Sequence, residues 1–158
     1  SFSFRLAARQ PDYETANGSV RIADSHNFPA STTIAAALVE VQPGGLRELH
    51  WHPNADEWQF WISGQARMTV FAANGRARTF DFHAGDVGVV PRAMGHYIEN
   101  TGRETVRYLE LFRSGEYAEV PLTAWAKNTP HEFVAQHLNI DPALLKRLPE
   151  KKQPIVPA

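Results

Sequence analysis

Between residues 19 and 112, apolar and polar side chains alternate in short runs, the period-two pattern of strands with one face buried. The runs are SVRIA, TIAAALVEVQ, LRELHWH, EWQFWI, ARMTVFA, RARTFDF, DVGVVP, GHYIEN and VRYLELF. Turn residues separate them: Pro43-Gly44-Gly45, Pro53-Asn54, Ser63-Gly64, Asn74-Gly75, Ala84-Gly85 and Thr101-Gly102. Asn74-Gly75 signals a type I′ hairpin, because both residue types tolerate positive φ. No helical pattern intervenes, which favours an antiparallel sandwich or small barrel over βαβ units. After Phe112 the pattern turns helical. Pro121 opens a segment through LTAWAKN, Thr129-Pro130-His131-Glu132 reads as a capping box leading into EFVAQHL, and Asp141-Pro142 starts a third short helix through ALLKRL. The tail KKQPIVPA reads as extended. The expected organisation is an all-β domain over residues 1–120, N-terminal arm included. A helical C-terminal appendix over 121–158 is expected to pack on it or on a neighbouring subunit.

Composition adds limits. The chain has 158 residues, 43% hydrophobic and 21% charged, enough for one domain with its own core. A formal net charge of −1 gives no electrostatic ground for nucleic acid or an anionic membrane as partner. No apolar run reaches the roughly 18–20 residues that span a bilayer. The chain begins SFSFRL without methionine, so the missing signal peptide says nothing of the compartment; a soluble protein, cytoplasmic or secreted, is expected. There are no cysteines, which excludes disulfides, thiolate nucleophiles and Cys-zinc sites, and leaves the seven histidines and the carboxylates as metal ligands.

The stretch GGLRELHWHPNADEW concentrates that chemistry. Residues two apart in a strand point to the same side, so His50 and His52 present their imidazoles together while Trp51 faces away. Pro53-Asn54 allows a turn that folds Glu57 back towards the pair, and His96 opens a later strand after another turn. Three neutral imidazoles and one carboxylate leave two octahedral positions open and suit Mn(II) or Fe(II), with Zn, Co, Ni and Cu as further candidates. His26, His83, His131 and His137 have no such arrangement and are expected on the surface or on helix faces.

The spacing of these residues resembles the cupin family. Gly44, five residues, His50-x-His52, four residues, Glu57, six residues and Gly64 match the first cupin motif; Gly85, five residues, Pro91, then His96 and Asn100 match the second. Ala93 stands where that pattern usually has glycine, which bears on turn geometry. The resemblance implies a jelly-roll-like double-stranded β-barrel with His50, His52, Glu57 and His96 as metal ligands. From IADSHNF to about HLNI the chain looks like the C-terminal half of bicupin oxalate decarboxylases. That likeness implies oxalate as substrate, formate and CO2 as products, Mn(II) as metal and dioxygen as co-catalyst.

Three further residues are candidates for that reaction. Arg47 is placed to take the second carboxylate of a dianion held by the metal. Its odd spacing from His50 points it the wrong way in a regular strand, so it needs a turn or bulge over residues 46–48; otherwise it is a surface arginine paired with Glu48. Glu110 lies on the face of VRYLELF shared by Val106, Tyr108 and Phe112, where a carboxylate must be hydrogen-bonded, paired or neutral. It resembles the family's C-domain glutamate near the metal, in reach of proton transfer; the competing role is partner to Arg92 or Arg47. Glu119 falls at the position of the lid glutamate of the family's active half. Its neighbours Ala118, Val120 and Pro121 depart from that lid's polar serine and asparagine, and Pro121 stiffens the segment. Among the aromatics, Trp61 shares a face with Glu57 and Gln59, while Trp58, Phe60 and Ile62 take the other; Gln59 is a lesser candidate for a hydrogen bond in the pocket. Decarboxylase, oxalate oxidase and a structural, metal-binding half of a two-domain enzyme all remain open at this point. Association as a homo-oligomer or with a second cupin domain is expected.

Overall fold

The computed structural model describes residues 1–158. Twelve strands and three helices follow a short 3-10 turn at Leu6–Ala8: β1 (Tyr13–Thr15), β2 (Gly18–Ala23), β3 (Ala35–Val41), β4 (Gly45–Trp51), β5 (Glu57–Ser63), β6 (Gln65–Ala72), β7 (Arg76–His83), β8 (Val87–Val90), β9 (Gly95–Asn100), β10 (Val106–Phe112), β11 (Val120–Pro121), α1 (Leu122–Lys127), α2 (His131–Leu138), α3 (Pro142–Leu145) and β12 (Ile155–Pro157). They form two antiparallel sheets, ordered β1-β2-β3-β10-β5-β8 and β11-β4-β9-β6-β7, with β12 also paired to β4. All nine strands expected from the alternation are present. The short β1, β11 and β12 are additional, since two or three residues are too few for a periodic signal.

The core lies between the sheets. Val20, Val39, Trp61 and Tyr108 from one meet Met68, Val70, Phe82 and Ile98 from the other. Trp61 is stacked between Phe82 and Tyr108, with ring centroids 4.7 and 4.5 Å away. As strand parity requires, Trp58, Phe60 and Ile62 face outward and stay about 40% exposed. Ile155 of β12 is also in this core, so the tail returns from the helices to the barrel.

Two local expectations need correction. Asn74 and Gly75 do adopt φ of 64° and 66°, but Ala72 pairs with Arg76. The connection is therefore one residue longer than a two-residue I′ loop. The expected capping box at Thr129 does not form: Pro130 is the N-cap of α2 and no side chain caps it. The Thr129 hydroxyl instead donates to the carbonyl of Trp125 at 2.8 Å, closing the end of α1. Asp141 does cap α3, accepting from the Ala143 N–H.

Candidate metal centre

Facing strands bring four side chains to one end of the barrel. His50 on β4 pairs directly with His96 on β9, Glu57 opens β5, and His52 follows β4 into the turn. All four are buried, and one ligand atom from each lies within 4.8 Å of all the others. Each imidazole is oriented by a backbone carbonyl that accepts from Nδ1–H: Glu48 for His50 (2.7 Å), Ala118 for His52 (2.8 Å) and Met94 for His96 (3.1 Å). That fixes the tautomer and leaves every Nε2 as a bare lone pair aimed inward. None of the three Nε2 atoms, nor Oε2 of Glu57, has a hydrogen-bond partner. Oε2 of Glu57 stands 2.9 Å from Nε2 of His96 and 3.1 Å from Nε2 of His52. Ligand atoms bound at about 2.1 Å to one ion stand roughly 3–4 Å apart, so the cluster fits a divalent metal. These residues form a metal-binding group.

Electrostatics agree. Burial opposes ionisation of Glu57, and its carboxyl is held well below the usual range only when positive charge stands at the Nε2 cluster, the place a divalent cation would take. Burial, and then Arg47 and the neighbouring imidazoles, keep His50 neutral. The other oxygen of Glu57 accepts from Nε2 of Gln59 at 2.6 Å, so Gln59 orients the carboxylate. Gln59 in turn lies against Gly88 of β8, where a Cβ would come within 2.5 Å of its Oε1.

Arg47 faces the same interior. The β4–β9 register shifts by one between Arg47 and His50, so Glu48 and Leu49 together oppose Tyr97 in a β-bulge. The extra residue resolves the odd spacing: Arg47 is fully buried and Leu49 is exposed. Glu48 is not its partner, because that carboxylate turns to the hydroxyl of Thr123 at 2.9 Å. Arg47 instead donates to the carbonyl of Pro154 (3.3 Å), to the phenol of Tyr117 (3.2 Å) and to Glu119, and its Nε stands 4.0 Å from Oε1 of Glu110. Arg92 is exposed and far from this role.

Glu110 is fully buried between Gln59 of β5 and Ala37 of β3, and neither oxygen has a hydrogen-bond partner. Burial, reinforced by Glu57, pushes its carboxyl up to about 7 against the pull of Arg47. Glu119 is bridged by Arg47 and by Lys152 from the tail, and accepts from the Tyr117 phenol at 2.9 Å. His26, His83, His131 and His137 all lie outside the cluster. Tyr117 and Lys152 carry no local signal in the sequence: folding alone brings them to Arg47 and Glu119, and Lys152 lies over a hundred residues from Arg47 along the chain.

A family model described as Cupin matches residues 4–145. The chain is 53% identical over 155 residues to oxalate decarboxylase OxdC of Bacillus subtilis (strain 168), covering 98% of this chain and 40% of that protein. It is 45% identical over 158 residues to a probable oxalate decarboxylase of Arthroderma benhamiae, covering 99% of this chain and 39% of that one. A solved structure of Bacillus subtilis oxalate decarboxylase, studied for its Mn(II) centres, superposes with a TM-score of 0.94 at 52% identity, over 98% of this chain and 41% of that one. The chain thus spans about two-fifths of the length of these relatives. No helix is long and apolar enough to cross a membrane.

Proposed function

The chain belongs to the cupin family, and from that premise we propose that it is an oxalate decarboxylase-type domain converting oxalate to formate and CO2 at a Mn(II) site held by His50, His52, Glu57 and His96. The observation that carries the reading is the convergence of three bare Nε2 atoms and one carboxylate oxygen beside a buried arginine and a buried carboxyl raised towards neutrality. Bound Mn(II), with dioxygen as co-catalyst, supplies Lewis acidity and one-electron chemistry. The chain's own residues do the rest. Arg47 pairs with the substrate carboxylate remote from the metal, its planar fork matching that group's geometry. The reaction breaks the C–C bond, releases one carbon as CO2 and leaves the other needing a proton. Glu110 is the donor: it is fully buried beside Arg47, neither of its oxygens is hydrogen-bonded, and burial opposes its ionisation. The low exposure of Arg47, Glu57 and Glu110 shields their charges from water and so strengthens their interactions with a bound dianion.

A second reading has an observation of its own. Arg47 already carries Glu119, and the chain spans two-fifths of the relatives, as a structural half of a two-domain enzyme would. Mn-loaded protein incubated with oxalate under air at mildly acid pH distinguishes the cases. One formate per oxalate supports the decarboxylase. Peroxide without formate assigns the site to oxidation, and metal binding without turnover assigns the chain a structural role.

A further inference from the structure

The C-terminal tail reaches the site from outside the motifs. After α3 the chain runs back along β4, pairing Ile155 with Arg47, and the Pro154 carbonyl accepts from both the Arg47 guanidinium and the Glu48 N–H. Lys152 precedes this strand. Its ammonium contacts one oxygen of Glu119 while Arg47 and the Tyr117 phenol take the other. Lys152 also sits over the Tyr13 ring, 4.3 Å from its centroid. Glu119 is only 3% exposed and Lys152 23%, so the pairing is largely shielded from water.

Charge decides what this arrangement does. Alone, Glu119 would cancel Arg47, and bringing a substrate carboxylate beside that pair would bury an anion without a cation to spare for it, which opposes binding. With Lys152 present, two cations share Glu119, so the group around Arg47, which includes Glu110 at 4.0 Å, carries one more positive charge than it would without the lysine. Glu119 can then stay on Lys152 while Arg47 turns its donors to the substrate. Burial and Arg47 bring the Lys152 ammonium down to about 8, and it remains protonated at and below neutral pH.

We propose that Lys152 is a positioning residue: by holding Glu119 it frees the charge of Arg47 for a small dicarboxylate, so that the tail completes the substrate site. This rests on the oxalate reading above. The test is oxalate affinity of the Mn-loaded chain by calorimetry, with Mn(II) affinity measured separately. Lys152→Met weakens oxalate binding at least about tenfold while Mn(II) affinity is kept, and Lys152→Arg stays near native. Lys152→Met combined with Glu119→Gln recovers most of the loss, because a neutral residue 119 needs no second cation; a merely structural lysine gives no such rescue. If the Met variant does not fold, Glu119→Gln alone carries the test and tightens oxalate binding about threefold or more. Native oxalate affinity in Lys152→Met, no rescue in the folded double variant, or unchanged affinity in Glu119→Gln overturns the assignment. A native chain that binds Mn(II) but no oxalate overturns the reading beneath it.

Discussion

Replacing Gly88 with alanine places a methyl group where the metal ligands are supported from behind. Its Cβ would stand 2.5 Å from Oε1 of Gln59 and 3.2 Å from two ring carbons of Phe82. Non-bonded heavy atoms prefer about 3.5 Å, so one neighbour must retreat by roughly an ångström. Phe82 is stacked on Trp61 in the closed core, whereas the Gln59 amide is the end of a flexible side chain, so Gln59 moves. Its 2.6 Å bond to Glu57 then stretches beyond about 3.2 Å and is lost. A hydrogen bond to a charged group contributes about 1.5–3 kcal/mol, and losing the support of a metal ligand typically lowers metal affinity about 10–100-fold. Mn(II) affinity measured by competition with a chelator should fall by that factor in Gly88→Ala. Gln59→Leu, which removes the donor without crowding, should fall similarly. Folded variants that both bind Mn(II) within about twofold of native would refute the claim that Gln59 orients Glu57.

Three other outcomes follow from the geometry. Ala93 adopts φ of 64° while its N–H donates to the His52 carbonyl, and left-handed backbone costs a non-glycine residue roughly 1–2 kcal/mol. Ala93→Gly should therefore raise unfolding stability by about 1 kcal/mol in denaturant titration, and a loss would show the conformation is unstrained. Arg47→Lys loses the planar fork and should raise KM for oxalate about 10–100-fold with metal content unchanged; an unchanged KM would place the substrate elsewhere. In the metal-free chain, Glu110 binds its proton more tightly folded than unfolded, about 7 against 4.5. Its stabilising contribution is thus complete below about pH 4.5 and is lost as pH rises through about 7, a change on the order of 3 kcal/mol. Glu110→Gln should flatten that part of the stability profile, and an identical slope would show that Glu110 is not responsible.

Most of this architecture could be read from the chain because alternation and turn residues are local. Nine strands, the direction of Trp61 and the meeting of His50, His52, Glu57 and His96 all follow from parity, turns and motif spacing. Arg47 marks the edge of such reasoning. Parity alone points it outward, and only the bulge at Glu48-Leu49, set by pairing with β9, brings it in. Thr129 fails as a cap for a similar reason: the carbonyl of Trp125 competes for its hydroxyl once α1 has formed. Glu119 falls at a lid position in the sequence, yet its charge partners come from β4 and the tail. Lys152 carried no signal at all, since a lysine in a proline-containing tail is ordinary until folding sets it beside a buried carboxylate.

Pulsed electron paramagnetic resonance of the Mn(II)-loaded chain, with and without doubly 13C-labelled oxalate, examines metal and substrate together. Three imidazole nitrogens coupled to one Mn(II) per chain are expected, and the labelled substrate should add a 13C coupling that Arg47→Ala weakens at equal oxalate concentration. Fewer coupled nitrogens, or saturating oxalate with no 13C coupling in the native chain, would contradict a metal-centred dicarboxylate site built from His50, His52, Glu57, His96 and Arg47.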